Sequence, residues 1–140
     1  MKKINYLLLF TMFFAFFVMN SITLAQSEPV MYFCEKYDDD DGEIGVSDRF
    51  TKGYITVMVK ADNELRLKDV VIQYDMYNFR NGKFEYYKKF NFAIERDMKY
   101  VFFERNDESD MEFEEPGFYR VFLLDEDGST VASALIEIID

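Results

Sequence analysis

"EEPGFYRVFLLDEDGSTVASALIEI" (residues 114–138) decides how the chain is read. Asp127-Gly128 is a hairpin signal between two runs rich in aromatic, branched and small apolar residues. The first run, 118–125, alternates Tyr119, Val121 and Leu123 on one side. The second, 130–138, alternates Ala132, Ala134, Ile136 and Ile138. Period-2 alternation of this kind specifies strands with one face on a core. The opposite faces are apolar too, with Phe118, Phe122, Val131 and Leu135. A sandwich strand is expected to be polar on its outer face. Two accounts follow. Either the acidic loop before the hairpin lays Met111 and Phe113 over these residues, or Phe118, Phe122, Val131 and Leu135 form an exposed surface for a partner.

Working outward, five more strands are expected at 30–37, 54–60, 69–78, 83–92 and 99–104. The second alternates Ile55, Val57 and Val59 against Thr56, Met58 and Lys60, and the third turns Val70, Ile72, Tyr74 and Met76 inward. The fourth is interrupted by Lys88 and Lys89, a pair that marks an edge strand because charge blocks edge-to-edge pairing. Strand addition by another chain along that edge is a further reading. The six glycines fall between these runs, where they terminate strands without weakening a ladder. About seven short strands separated by turn signals predict an all-β chain, an antiparallel sandwich, with a small closed barrel as the alternative.

The Pro116-Gly117 turn leading into Gly117-x-Tyr119-x-Val121, then the Asp-Gly turn and a last strand, resembles the final hairpin of immunoglobulin-like domains. The resemblance covers residues 114–138. It implies an immunoglobulin-like sandwich in which Tyr119 is the corner tyrosine, its hydroxyl bonding back to the preceding loop. The strand-six cysteine of antibody domains is replaced by Val121, and the chain has no Trp. A sandwich of this type hosts many functions, so the resemblance implies no activity.

The amino terminus reads as a separate unit. Lys2 and Lys3 precede an apolar run from Leu7 to Met19, and Thr23-Leu24-Ala25 ends the segment before Gln26. A charged start, an apolar stretch shorter than a membrane span and a small-x-small end describe a signal peptide over 1–25, with an uncleaved anchor as the competing reading. The domain is then 26–140, and the protein is expected to be secreted or periplasmic, with no membrane association after cleavage. The whole chain carries a net charge of −11, and loss of Lys2 and Lys3 makes the remainder more acidic still. Such a surface repels nucleic acid and anionic headgroups. The interleaved Lys and aromatic residues of 83–92 are therefore read as a twisted edge strand, not as a nucleic-acid platform. Cys34 is the only cysteine, so no intrachain disulfide forms, and a buried thiol is expected.

The chain contains no histidine. That removes His-dependent triads, histidine-ligated metal sites and the commonest general base near neutral pH. One cysteine supplies too few thiolates for a zinc or iron–sulfur centre, and no phosphate-binding glycine motif occurs. Calcium is the one cofactor that so many carboxylates suit. "DDDDGEIG" (38–45) fails as an EF-hand, because Tyr37 falls at the first ligand position and Asp48 at the twelfth. A different calcium site remains, built at one pole from Asp39, Asp41 and Glu43 together with Asp107 and Asp110 of the second acidic loop. The competing reading is that both loops are solvated turns. The sequence therefore points to a non-enzymatic binding module with no required cofactor, acting on a protein partner or forming a homo-oligomer. A calcium-stabilised adhesion domain and a small carboxylate-based hydrolase are the alternatives.

Overall fold

A computed structural model describes residues 28–140. The signal-peptide reading of residues 1–25 lies outside them. The chain is all-β. Its strands run in order as β1 (Val30–Cys34), β2 (Lys36–Asp38), β3 (Gly42–Ile44), β4 (Arg49–Thr51), β5 (Gly53–Tyr54) and β6 (Thr56–Lys60). They continue as β7 (Asp69–Asn78), β8 (Lys83–Ala93), β9 (Tyr100–Phe103), β10 (Glu112–Phe113), β11 (Gly117–Leu124) and β12 (Thr130–Ile139).

Two sheets form a sandwich. One has three strands in the order β1-β6-β9, and the other has five in the order β4-β12-β11-β7-β8. The pairings within them are antiparallel except at one edge, where β4 runs parallel to β12. Alternation sorts the side chains as period-2 geometry requires. Phe33, Val57, Val59 and Phe103 of the smaller sheet meet Ile72, Tyr74, Val121, Leu123, Ile136 and Ile138 of the larger one in a single core. The Phe92 and Phe103 rings, 5.1 Å apart and edge-on, join the two sheets directly.

Three features depart from the sequence reading. The expected first strand, 30–37, breaks at Glu35 into β1 and β2, and β2 turns away to pair with β3. The expected loop 38–53 contains the short strands β3 and β4, and β5 begins at Gly53. Met111 and Phe113 do not cover the outer face of β11 and β12. Both are fully buried inside the sandwich. Phe113 stacks on Tyr74 at 4.4 Å and meets Tyr119 edge-on at 5.1 Å. The acidic loop therefore plugs the end of the core, where burying one Phe contributes about 1.5–3 kcal/mol. Tyr119 completes that end, its hydroxyl donating to the Glu115 carbonyl at 2.7 Å.

Strand β8 is the other edge of the larger sheet and runs through Lys88 and Lys89 without ending. It is bulged instead. Tyr74 pairs with Lys88 and Asp75 with Tyr86, which leaves Tyr87 as the extra residue. A bulge shifts which face later side chains take. Phe84 and Tyr86 lie opposite the outward Tyr77 and Asp75, whereas Phe90 and Phe92 lie opposite the inward Ile72 and Val70.

Candidate functional site

Each sheet has an outer face, and the two are finished differently. On the three-stranded sheet the outward residues are Tyr32 and Cys34 of β1, Thr56 and Met58 of β6, and Tyr100 and Phe102 of β9. The β2–β3 hairpin folds back over them. Tyr37 stacks on Phe102 with centroids 4.4 Å apart. Glu43 accepts hydrogen bonds from both the Tyr32 and Tyr100 hydroxyls through Oε1. The hairpin neck is closed by the Glu35 amide donating to the Ile44 carbonyl at 2.9 Å. Gly45 takes φ +68 there, and a Cβ would meet the Glu35 side chain at 2.7 Å, so the neck needs glycine. Beneath this cover Cys34 and Met58 are fully buried.

The electrostatics follow from those contacts. The hydrogen bonds from Tyr100 and then Tyr32 hold the Glu43 carboxyl below the usual range. Burial, then the hydrogen bond to Glu43, pushes Tyr32 up to about 12 and raises Tyr100 as well. Burial likewise raises the Cys34 thiol. A buried, protonated thiol is a packing group and a poor nucleophile.

Among the described residues, nothing covers the outer face of the five-stranded sheet in this way. Phe118, Arg120, Phe122 and Leu124 of β11 alternate with the buried Tyr119, Val121 and Leu123. Leu135 of β12 pairs with Arg120 on one side, and Asp75 of β7 pairs with it on the other. Phe79, in the turn after β7, is 70% exposed, Tyr86 is 60% exposed and Leu135 is 59% exposed. The rings touch one another. Tyr77 lies 5.0 Å from Phe79 and 5.2 Å from Phe84, and Phe79 lies 6.2 Å from Phe118. The Arg120 guanidinium sits 4.6 Å from the Phe84 centroid and 5.9 Å from that of Phe122. The interplanar angles of the ring pairs run from 57° to 87°, so the rings form an interlocking relief and not a flat platform. A shallow groove lined by Phe118, Leu135, Arg49 and Glu137 continues it toward β4.

Of the four residues read from the sequence as a partner surface, Phe118, Phe122 and Leu135 lie on this face. Val131 does not. It is the extra residue of a second bulge, between the pairs Leu124↔Thr130 and Leu123↔Ala132. It is half-buried against the core and lines a separate groove with Pro29, Ala61 and Leu65. Tyr77, Phe79, Phe84, Tyr86 and Arg120 belong to the face and were not read from the sequence. Phe79 left a signal: a large apolar ring in the turn sequence Asn78-Phe79-Arg80-Asn81-Gly82, where a polar residue is the norm.

The acidic residues are distributed, not gathered. Asp39 and Asp41 sit in the exposed tip of the β2–β3 hairpin, which is organised by Asp38 accepting from the Asp40 and Asp41 amides at 3.0 and 3.3 Å. Glu43 is committed to the two tyrosines. Asp107 and Asp110 are exposed in the loop whose Asn106–Ser109 turn closes on itself. The second acidic loop pairs instead with β5, through Tyr54↔Glu112 and Gly53↔Phe113. Among the described residues no three Asp, Glu, Cys or His side chains gather closely enough to hold a metal ion.

No protein-family model matches the chain, and no curated protein matches it either. Among solved structures, it is similar to the crystal structure of an immunoglobulin-like protein from Pseudomonas aeruginosa. The TM-score is 0.45 and the identity 9%, over 82% of this chain and 99% of that chain. What defines the sandwich is its own strand pairing and the core shared between the two sheets.

Proposed function

We propose that the protein is a non-enzymatic interaction module, exported from the cytoplasm, that binds a protein partner through the outer face of its five-stranded sheet. The observation that carries this reading is the aromatic cluster around Arg120, left bare on an otherwise well-buried sandwich. Exposed Tyr, Phe and Arg are the side chains that concentrate binding energy at protein interfaces. The tilted rings favour interdigitating side chains over the parallel stacking that a sugar ring or a base would require. A hydrolase would need two carboxylates converging in a cleft, and this face is open and carries Asp75 beside an arginine.

A photo-crosslinking side chain in place of Phe118 tests the reading in cells that make the protein. A discrete adduct is expected from that position and none from a control position at Glu126 in the opposite turn. Equal labelling from both would remove the face as the binding surface.

A further inference from the structure

Cations outnumber carboxylates around the aromatic face. Arg120 lies at its centre, Arg80 follows Phe79 in the turn, Lys83 opens β8, and Lys89 lies opposite the outward Gln73. None of these four cations makes an ion pair among the described residues, where the ion pairs are Arg49–Glu137, Lys52–Asp140, Arg66–Glu64 and Lys88–Glu114. The nearby carboxylates are already engaged. Asp75 accepts from Gln73 Nε2 at 2.8 Å, Glu85 accepts from the Asn78 and Asn81 side-chain amides at 3.0 and 2.6 Å, and Glu137 holds Arg49 at 2.7 Å. Asp75 and Glu85 keep their charge, because their partners are neutral amides, and Arg49 balances Glu137, so the four cations still leave a local excess of positive charge on this aromatic surface of a chain with net charge −11. At physiological salt, charges more than about 8 Å away are largely screened, so the local cations set the sign that a docked partner meets.

We infer that this face takes an apolar polypeptide segment bearing carboxylates, with Arg120 as the residue that selects the acidic side chain. The inference rests on the reading of the face as a docking surface. Phe79, Phe84, Phe118 and Leu135 supply the apolar contact. Arg120 rests over the Phe84 ring with Phe122 beside it, which restricts its side chain and pre-organises the planar fork for a carboxylate. A second copy of this chain fits poorly, because a two-fold contact across β11 would bring Arg120 toward its own counterpart while the two acidic chains repel.

The test uses two synthetic twelve-residue peptides with the same Phe and Leu positions. One carries Asp and Glu between them and the other carries Lys, and each is titrated against the purified protein by fluorescence anisotropy. The acidic peptide is expected to bind at least about tenfold more tightly than the basic one and to weaken with added salt. Arg120→Gln is expected to remove roughly tenfold of that affinity, and Arg120→Lys to restore part of it. Equal or tighter binding of the basic peptide overturns the inference, as does no binding of either at millimolar concentration. If Arg120→Gln has no effect while Phe79→Ser abolishes binding, the face docks a partner but does not select acid, and only this inference falls. If neither Phe79→Ser nor Phe118→Ser changes the binding of either peptide, the docking face falls with it. A concentration-dependent dimer in sedimentation that Phe79→Ser breaks would make the occupant a second copy and overturn the inference.

Discussion

The two outer faces of this sandwich start from similar material and end differently. Both present aromatic and aliphatic side chains that a solvated sheet face would not carry. On the three-stranded sheet the chain spends nine residues on a hairpin that buries Met58 and Cys34 and latches through Glu43. On the five-stranded sheet nothing in the described chain covers Phe79, Phe118 or Leu135. The difference teaches that apolar surface in a strand pattern does not reveal its own fate. What decides it is whether a neighbouring segment has the reach and the polar partners to close over it.

The comparison can be broken by substitution, beginning with the covered face. Met58→Ala, which empties a fully buried site beneath the hairpin, is expected to lower the unfolding free energy by about 2–5 kcal/mol in urea titrations. Phe118→Ala on the bare face should stay within about 0.5 kcal/mol, the range of ordinary surface changes. Equal losses at the two positions would mean that the faces are not distinct.

Loosening the cover should be visible at Cys34. Tyr37→Ala removes the ring stacked on Phe102, a contact worth about 0.5–1.5 kcal/mol, so labelling of Cys34 by a thiol reagent at fixed pH should accelerate by up to about tenfold. Unchanged labelling would show that the hairpin does not gate the thiol.

The pH dependence has two limbs. The carboxyls of Glu43, Asp38, Glu85 and Glu137 are all held low by the hydrogen bonds they accept. The folded chain then binds fewer protons than the unfolded one, so this stability is complete above the ordinary carboxylate range near ~4 and is lost as the pH falls through the lowered values. The tyrosines run the other way. Tyr32, raised to about 12, keeps its proton longer when folded, so its contribution is complete below ~10 and is lost as the pH rises toward 12. Thermal unfolding at pH 3, 7 and 11 should give a maximum at 7. Glu43→Gln should flatten the acid limb, and an unaltered limb in that variant would assign it to the other carboxylates. The smallest expected effect is that of calcium. Because the five candidate carboxylates are dispersed, millimolar Ca²⁺ against chelator should leave the thermal midpoint unchanged, and a clear rise would restore a metal site.

The strands legible in the sequence were those where alternation and turn residues agree. Asp127-Gly128 and the stripe of Tyr119, Val121 and Leu123 locate β11 and β12, and Lys88-Lys89 marks β8 as an edge. The candidate site was half legible. Phe118, Phe122 and Leu135 follow from period 2 alone, but Val131 was misplaced because a bulge has no signature in a run of small apolar residues. Phe84 and Tyr86 were hidden for the same reason, since strict alternation puts them on the same face as Phe90 and Phe92 and the Tyr87 bulge separates them. The acidic stretch after Tyr37 was read by charge. Its place in the molecule is set by Tyr37 and Glu43, whose partners Tyr100 and Phe102 on β9 are distant in sequence and carry no motif.

The parallel pairing of β4 with β12 also sets an order of events. Arg49 and Glu137 are 88 residues apart, and they meet beside the pairs Ile138↔Phe50 and Ile139↔Thr51. Lys52 adds a backbone bond to Ile139 and an ion pair with Asp140. The strand that follows the hairpin cover therefore waits for β12, some 88 residues later, before it has a place to dock. A nascent chain cut short of β12 would leave β4 without a neighbour and β11 paired on one side only, with β7. Contacts this distant along the chain place folding in the slow range of milliseconds to seconds. The larger sheet thus stays incomplete, with β4 undocked, until β12 has been made.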